Sequence, residues 1–149
     1  MDKKIIVKVA AGLGNQMFMY ANAFSLAKRF DYKLFIDNTS GFFQAKNRTF
    51  GRAFGLNSFN LTGDLADKFD KYDNYITHNY KKIIKTLNRF QKNKAFLTDP
   101  KGSNKKTYYE KIDYSLSDTV YLEGYFESEK YFFDLKTELI EEFKIKNSY

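Results

Sequence analysis

The chain has 149 residues, a formal charge of +7, 43% hydrophobic and 19% aromatic content, and neither cysteine nor tryptophan. That length allows one domain with a real core but not two large ones, and the lack of cysteine removes disulfides, thiolate metal sites and a cysteine nucleophile. No apolar run approaches the about 20 residues of a membrane-crossing helix. Asp2, Lys3, Lys4 and Lys8 put charge where a signal peptide needs an unbroken apolar stretch. A cytoplasmic location is the expectation.

In chain order, Ile5 to Val9 is a short β-rich run and reads as a buried strand. Ala10 to Gly14 forms a tight loop. From about Asn15 the period changes: Met17, Tyr20, Ala21, Phe24 and Ala27 fall at helical spacing, with Lys28 and Arg29 in the last turn where they suit the helix dipole. Tyr32 to Asp37 is a second apolar run, so the chain opens as a βαβ unit with parallel pairing. Residues 38–62 read as loop with room for one short strand, and Asp64 to Asp70 as a short helix. Tyr75 to Phe90 carries Tyr80, Ile83, Ile84 and Leu87 on one face and lysines on the other, an amphipathic helix. Asn93 to Thr107, with the sole proline Pro100, reads as an exposed linker. Val120 to Leu122 is a third strand, and Ser128 can cap a closing helix that runs to Phe143.

The positive charge is concentrated. Residues 81–111 hold ten basic and two acidic side chains, a block that fits either a solvated helix face and loop or an anionic surface such as the inner face of a membrane. Nucleic acid is not the expected partner, because the block is poor in arginine and no zinc-finger or RRM signature accompanies it. Asp67, Asp70 and Asp73 recur at threes, which reads as a solvated face rather than a cation site.

The segment Gly12-Leu13-Gly14-Asn15-Gln16-Met17-Phe18 lies between a strand and a helix. Two glycines let the backbone turn and let a ligand approach closely. A helix starting there aims free N–H groups at the strand's carboxyl edge, where open α/β sheets bind ligands. Asn15 and Gln16 add amides that match sugar hydroxyls or phosphate oxygens. A structural turn explains the segment too. A dinucleotide fingerprint is a third reading, with Asp37 as the ribose carboxylate, although Met17 stands where its third glycine belongs.

Gly12 to Ala21, reading Gly-Leu-Gly-Asn-Gln-Met-Phe-x-Tyr-Ala, resembles the opening of bacterial α-1,2-fucosyltransferases. Ala11 and Met19 depart from that pattern, where the family has glycine and glutamine. Tyr121 to Phe132 is similar to a second segment of the family, departing at Glu123, Phe126 and Glu127. The resemblance implies a Rossmann-like N-terminal domain of a two-domain GT-B glycosyltransferase, with 1–149 as one acceptor-side α/β domain. It implies transfer of L-fucose from GDP-fucose to the 2-hydroxyl of a galactoside or oligosaccharide acceptor, with no metal or other cofactor. The expected substrate-binding residues are Gly12, Gly14, Asn15 and Gln16, with Tyr125 as a sugar-stacking ring; no catalytic residue is assigned. The family's donor motif pairs arginines behind a histidine. Here Arg29, Arg48, Arg52 and Arg89 stand apart and His78 sits in another context, so a donor-binding C-terminal domain is expected to be missing and the chain alone inactive. The alternative is a non-catalytic α/β module that binds a nucleotide or an anionic surface.

Overall fold

A computed structural model describes residues 2–44, 52–99, 109, 111–112 and 115–147. Five parallel strands form its sheet: β1 (Lys4–Lys8), β2 (Lys33–Asp37), β3 (Asp64–Leu65), β4 (Lys94–Thr98) and β5 (Leu116–Glu123). They lie in the order β3-β2-β1-β5-β4, with Ile6 of β1 opposite Phe35 on one side and Tyr121 on the other. Ile5, Ile6 and Val7 are all buried, as a strand covered on both faces requires. The βαβ opening and the parallel sheet are as the sequence leads one to expect. The second half departs from a doubly wound 3-2-1-4-5 order, because β5 enters beside β1 and leaves β4 at the edge.

Helix α1 (Leu13–Phe30) covers one face. Its Tyr20, Ala23, Phe24, Leu26 and Ala27 join Ile5, Val7, Val9, Val120 and Leu122 in the main core. Alanines at 21, 23 and 27 favour the helix, and Asp31 ends it in the left-handed region at φ 58°, which aspartate tolerates better than most residues. The Tyr20 hydroxyl donates to the buried Glu142 carboxylate, which also accepts from the Thr62 amide at 2.9 Å and the Thr62 hydroxyl at 2.8 Å. Glu142 belongs to α3 (Lys136–Glu142), so the closing helix is fastened to α1.

The other face is thinner. Its buried apolar cluster is Ile6, Ala66, Phe96 and Tyr121, under helix α2 (Tyr75–Asn88). Asn74 and Thr77 close a reciprocal capping box at its start, with Thr77 N–H to Asn74 Oδ1 at 2.9 Å. Of the apolar face read from the sequence, only Ile84 packs, partly buried, against this cluster. Lys81 and Asn88 are the buried residues, while Tyr80, Ile83 and Leu87 are exposed. Asn88 explains the rotation: its Nδ2 donates to Phe96 O at 3.0 Å, and its Oδ1 accepts from Ala95 N–H at 2.8 Å and Phe96 N–H at 3.2 Å. This occupies the free side of edge strand β4, whose polar groups would otherwise lack partners.

Three further expectations are corrected. Lys94–Thr98 is a strand rather than linker, because Phe96 and Leu97 are buried; Pro100 lies outside the described residues. Asp64 to Asp70 is not one helix but the short β3 followed by a 3-10 turn at Lys68–Asp70. The three aspartates separate accordingly: Asp67 caps that turn, Asp70 pairs with Lys4, and Asp73 accepts from the Thr39 hydroxyl. The closing helix is broken into 3-10 turns at Glu129–Tyr131 and Phe133–Leu135 before α3. There Tyr131 turns in against Phe126 and Phe132 against Phe18, with ring centroids 5.3 and 5.8 Å apart, so packing overrides the helical period.

Candidate functional site

The carboxyl ends of β1, β2, β4 and β5 bring the chemistry-bearing segments to one edge. After β1 the backbone takes a left-handed turn at Ala11, φ 63°, which costs an alanine on the order of 1 kcal/mol relative to glycine. Gly12 is the extended N-cap of α1 and provides no side-chain cap. The helix therefore starts two residues before Asn15, and its first amides, from Leu13 to Asn15, have no helical acceptor. A Cβ built at Gly12 or Gly14 meets nothing within 4 Å. The space above this positively polarised mouth is open to an approaching oxygen. Asn15 is half-buried beside it.

Gln16 does not share that position. It is 1% exposed, and its amide is used inside the protein. Nε2 donates to Ala11 O at 3.0 Å and Ala53 O at 2.9 Å, and Oε1 accepts from Gly55 N–H at 3.0 Å. Its side chain fixes the strained loop against the 53–55 segment instead of facing a ligand, which corrects its expected direct contact.

Across the edge, Gly124 follows β5 at φ 152°, and a Cβ there would lie 2.4 Å from Asp99 Cβ and 2.7 Å from Asp99 N. Only glycine fits. Asp99 Oδ2 accepts from the Tyr125 and Phe126 amides at 3.2 and 3.1 Å, fixing the turn that presents Tyr125. The Tyr125 side chain borders a cavity of about 240 Å³ together with Lys8, Ala10, Lys85, Asp99 and Glu123. Gly12, Gly14, Asn15 and Tyr125 thus sit at the ends of adjacent strands, while Gln16 lies behind them.

A charged cluster that the sequence did not reveal underlies this cavity. Glu123 accepts from Lys8, from Lys81 at 3.1 Å and from Lys85 at 2.9 Å. Burial alone would raise its carboxyl, but Lys8, with Lys85 and Lys81, outweighs burial and holds it well below the usual carboxylate range. It is therefore ionised at any physiological pH and too acidic to act as a base. Burial, followed by repulsion from Lys8, lowers Lys81 against the opposing pull of Glu123. His78, beside the Phe43 ring at 5.9 Å, is depressed by burial and then by Lys81, Lys82 and Lys8, so it is neutral at pH 7. No sequence signal marks this cluster, because its members come from β1, α2 and β5.

Asp37 ends β2 with no exposure. Its Oδ1 accepts from the Thr39 and Ser40 amides at 3.1 and 2.9 Å, and its Oδ2 from the Tyr121 hydroxyl at 2.6 Å. Burial and then the Asp37 charge push that phenol far above its ordinary value. A carboxylate so enclosed does not reach a ribose, which removes the carboxylate that the dinucleotide reading called for. Among the described residues, no group of three or more potential ligands forms a metal site.

Fold and edge together define an α/β protein with an open parallel sheet and a polar, glycine-lined carboxyl edge. No protein-family model matches the chain, and no solved structure matches it. Among curated proteins it is similar to an alpha-1,2-colitosyltransferase of Escherichia coli, 29% identical over 139 residues, which cover 93% of this chain and 44% of that protein. It is also similar to the O-antigen biosynthesis glycosyltransferase WbnK of Escherichia coli, 35% identical over 86 residues, or 56% of this chain and 26% of that one. Both relatives are glycosyltransferases by name, and the chain spans less than half the length of either.

Proposed function

We propose that this chain forms the acceptor-side part of an α-1,2-glycosyltransferase of GT-B architecture. Its reaction is transfer of L-fucose, or of the sugar handled by the colitosyltransferase relative, from a GDP-linked donor to a galactoside 2-hydroxyl, without a divalent cation. The observation that carries this reading is the open mouth of α1. Gly12 and Gly14 leave clear space over free amides, with Asn15 on the same turn and Tyr125 on the neighbouring strand end. Amides and a phenol ring suit sugar hydroxyls and a sugar face. The likeness to the colitosyltransferase supports the linkage class.

A nucleoside diphosphate leaving group calls for paired guanidinium donors as charge develops on it. The four arginines of these 149 residues are dispersed at 29, 48, 52 and 89. We therefore expect the chain alone to bind galactosides weakly and not to transfer. The test is NMR titration with a β-galactoside, followed by transferase assays with GDP-fucose and the corresponding colitose donor, with and without EDTA. Each assay is run on the chain alone and joined to the remaining sequence of a relative. Galactoside shifts at Asn15 and Tyr125 that disappear in Asn15→Ala support the site; shifts indifferent to that change remove it. Turnover by the chain alone overturns the inactivity.

A further inference from the structure

Helix α2 turns its apolar side to solvent. Ile76, Tyr80, Ile83 and Leu87, followed by Phe90 in the turn just past the helix, recur at intervals of four and three, and all are more than half exposed, Ile76 at 83% and Phe90 at 85%. The helix does not need this stripe to stay in place. Lys81 and Lys85 bind Glu123, Asn88 binds β4, and Lys94 Nζ donates to the Asn88, Arg89 and Gln91 carbonyls at 3.0, 3.3 and 2.7 Å. The charge around the stripe has one sign. From Asn74 to Thr98 there are six basic residues and no acidic one. Lys82 and Arg89 are exposed on the helix flank, and Lys92 follows just beyond its end.

We propose that α2 is a peripheral membrane anchor that lays this stripe into the headgroup boundary of an anionic bilayer. An apolar face with basic flanks gains both hydrophobic burial and attraction to acidic lipids. The same 4-3 spacing fits a coiled-coil seam. A second copy of the chain, however, would set Lys82 and Arg89 against basic residues with no carboxylate on the helix to pair them, so charge favours the lipid surface. This inference stands apart from the glycosyltransferase reading, since it uses none of the residues assigned to sugar binding.

The test is sedimentation of the 149-residue chain with phosphatidylglycerol-rich vesicles and with pure phosphatidylcholine vesicles. The chain is expected to sediment with the first and not the second. Raising salt from about 0.1 M to about 1 M shortens the screening length from about 10 Å to about 3 Å and should weaken the binding. At about fivefold per charge, Lys82→Gln with Arg89→Gln should lower partitioning by about 25-fold. Ile83→Ser with Phe90→Ser should abolish the binding that survives high salt, and circular dichroism checks that these exposed changes leave the fold intact. Equal partitioning to both vesicle types, no partitioning, or variants that bind like the parent overturn the proposal. So does a lipid-free dimer in sedimentation velocity that Ile83→Ser with Phe90→Ser dissolves, since the stripe then belongs to a second copy.

Discussion

The two long helices of this protein are held to one sheet by opposite means. α1 buries ten of its residues, seven of them aliphatic or aromatic, so hydrophobic area does most to fix its orientation. α2 fully buries only a lysine and an asparagine, packs Ile84 partly against the sheet and leaves its main apolar stripe outside, so hydrogen bonds and one carboxylate do most to fix its orientation. Amphipathic periodicity shows that a helix has two unlike faces, but it does not say which of them the protein keeps.

Substitutions can break or sharpen that contrast. The largest effect is expected at Glu123, the carboxylate beneath α2. Glu123→Gln strands the buried Lys81 and should cost about 4 kcal/mol in denaturant unfolding. Because the folded carboxyl titrates below the unfolded value of 4.5, its contribution is complete above that pH and drains away as pH falls toward the folded value. Acid titration of stability should therefore be shallower in the glutamine variant, and equal slopes would contradict the pairing. Next is Leu26→Ala in α1, expected to cost about 3 kcal/mol for a side chain left 2% exposed. Gln16→Ala should cost about 2 kcal/mol by removing three bonds to the loops, and its loss of galactoside binding should follow only from the displaced Ala11–Asn15 backbone. Ala11→Gly should stabilise by about 1 kcal/mol by relieving the left-handed alanine. Ile83→Ala on α2 should fall within about 0.5 kcal/mol of the parent. A cost there as large as that of Leu26→Ala would mean that the stripe is covered in solution.

What the sequence made legible follows from range. The βαβ opening, the helical period of α2 and the glycine-lined mouth of α1 are local, written in residues a few positions apart, and the structure shows them with boundaries shifted by one or two residues. Strands β3 and β4 were missed because one is two residues long and the other lies beside a proline, within polar neighbours that hid Phe96 and Leu97. Gln16 looked like a ligand-binding amide because its type and position allowed that, whereas its partners Ala53 and Gly55 are brought to it only by the fold. The Lys8, Lys81, Lys85 and Glu123 cluster joins positions as far as 115 residues apart, and no spacing rule connects them. Asn22 completes the lesson from the same helix as Gln16. It is just as buried, yet neither of its side-chain polar atoms finds a partner among the described residues.

The placement of β5 between β1 and β4 has a consequence for how the chain is born. β2, the partner on one edge of β1, is made early, but the partner for the other edge, Leu116 to Glu123, is the last strand to be made. At about 5–20 residues per second on the ribosome, that flank of Ile5, Ile6 and Val7 stands open for on the order of 5–20 s. A nascent polypeptide cut short before Glu123 thus exposes a sticky strand to its neighbours, and inclusion bodies are the fate to expect of it.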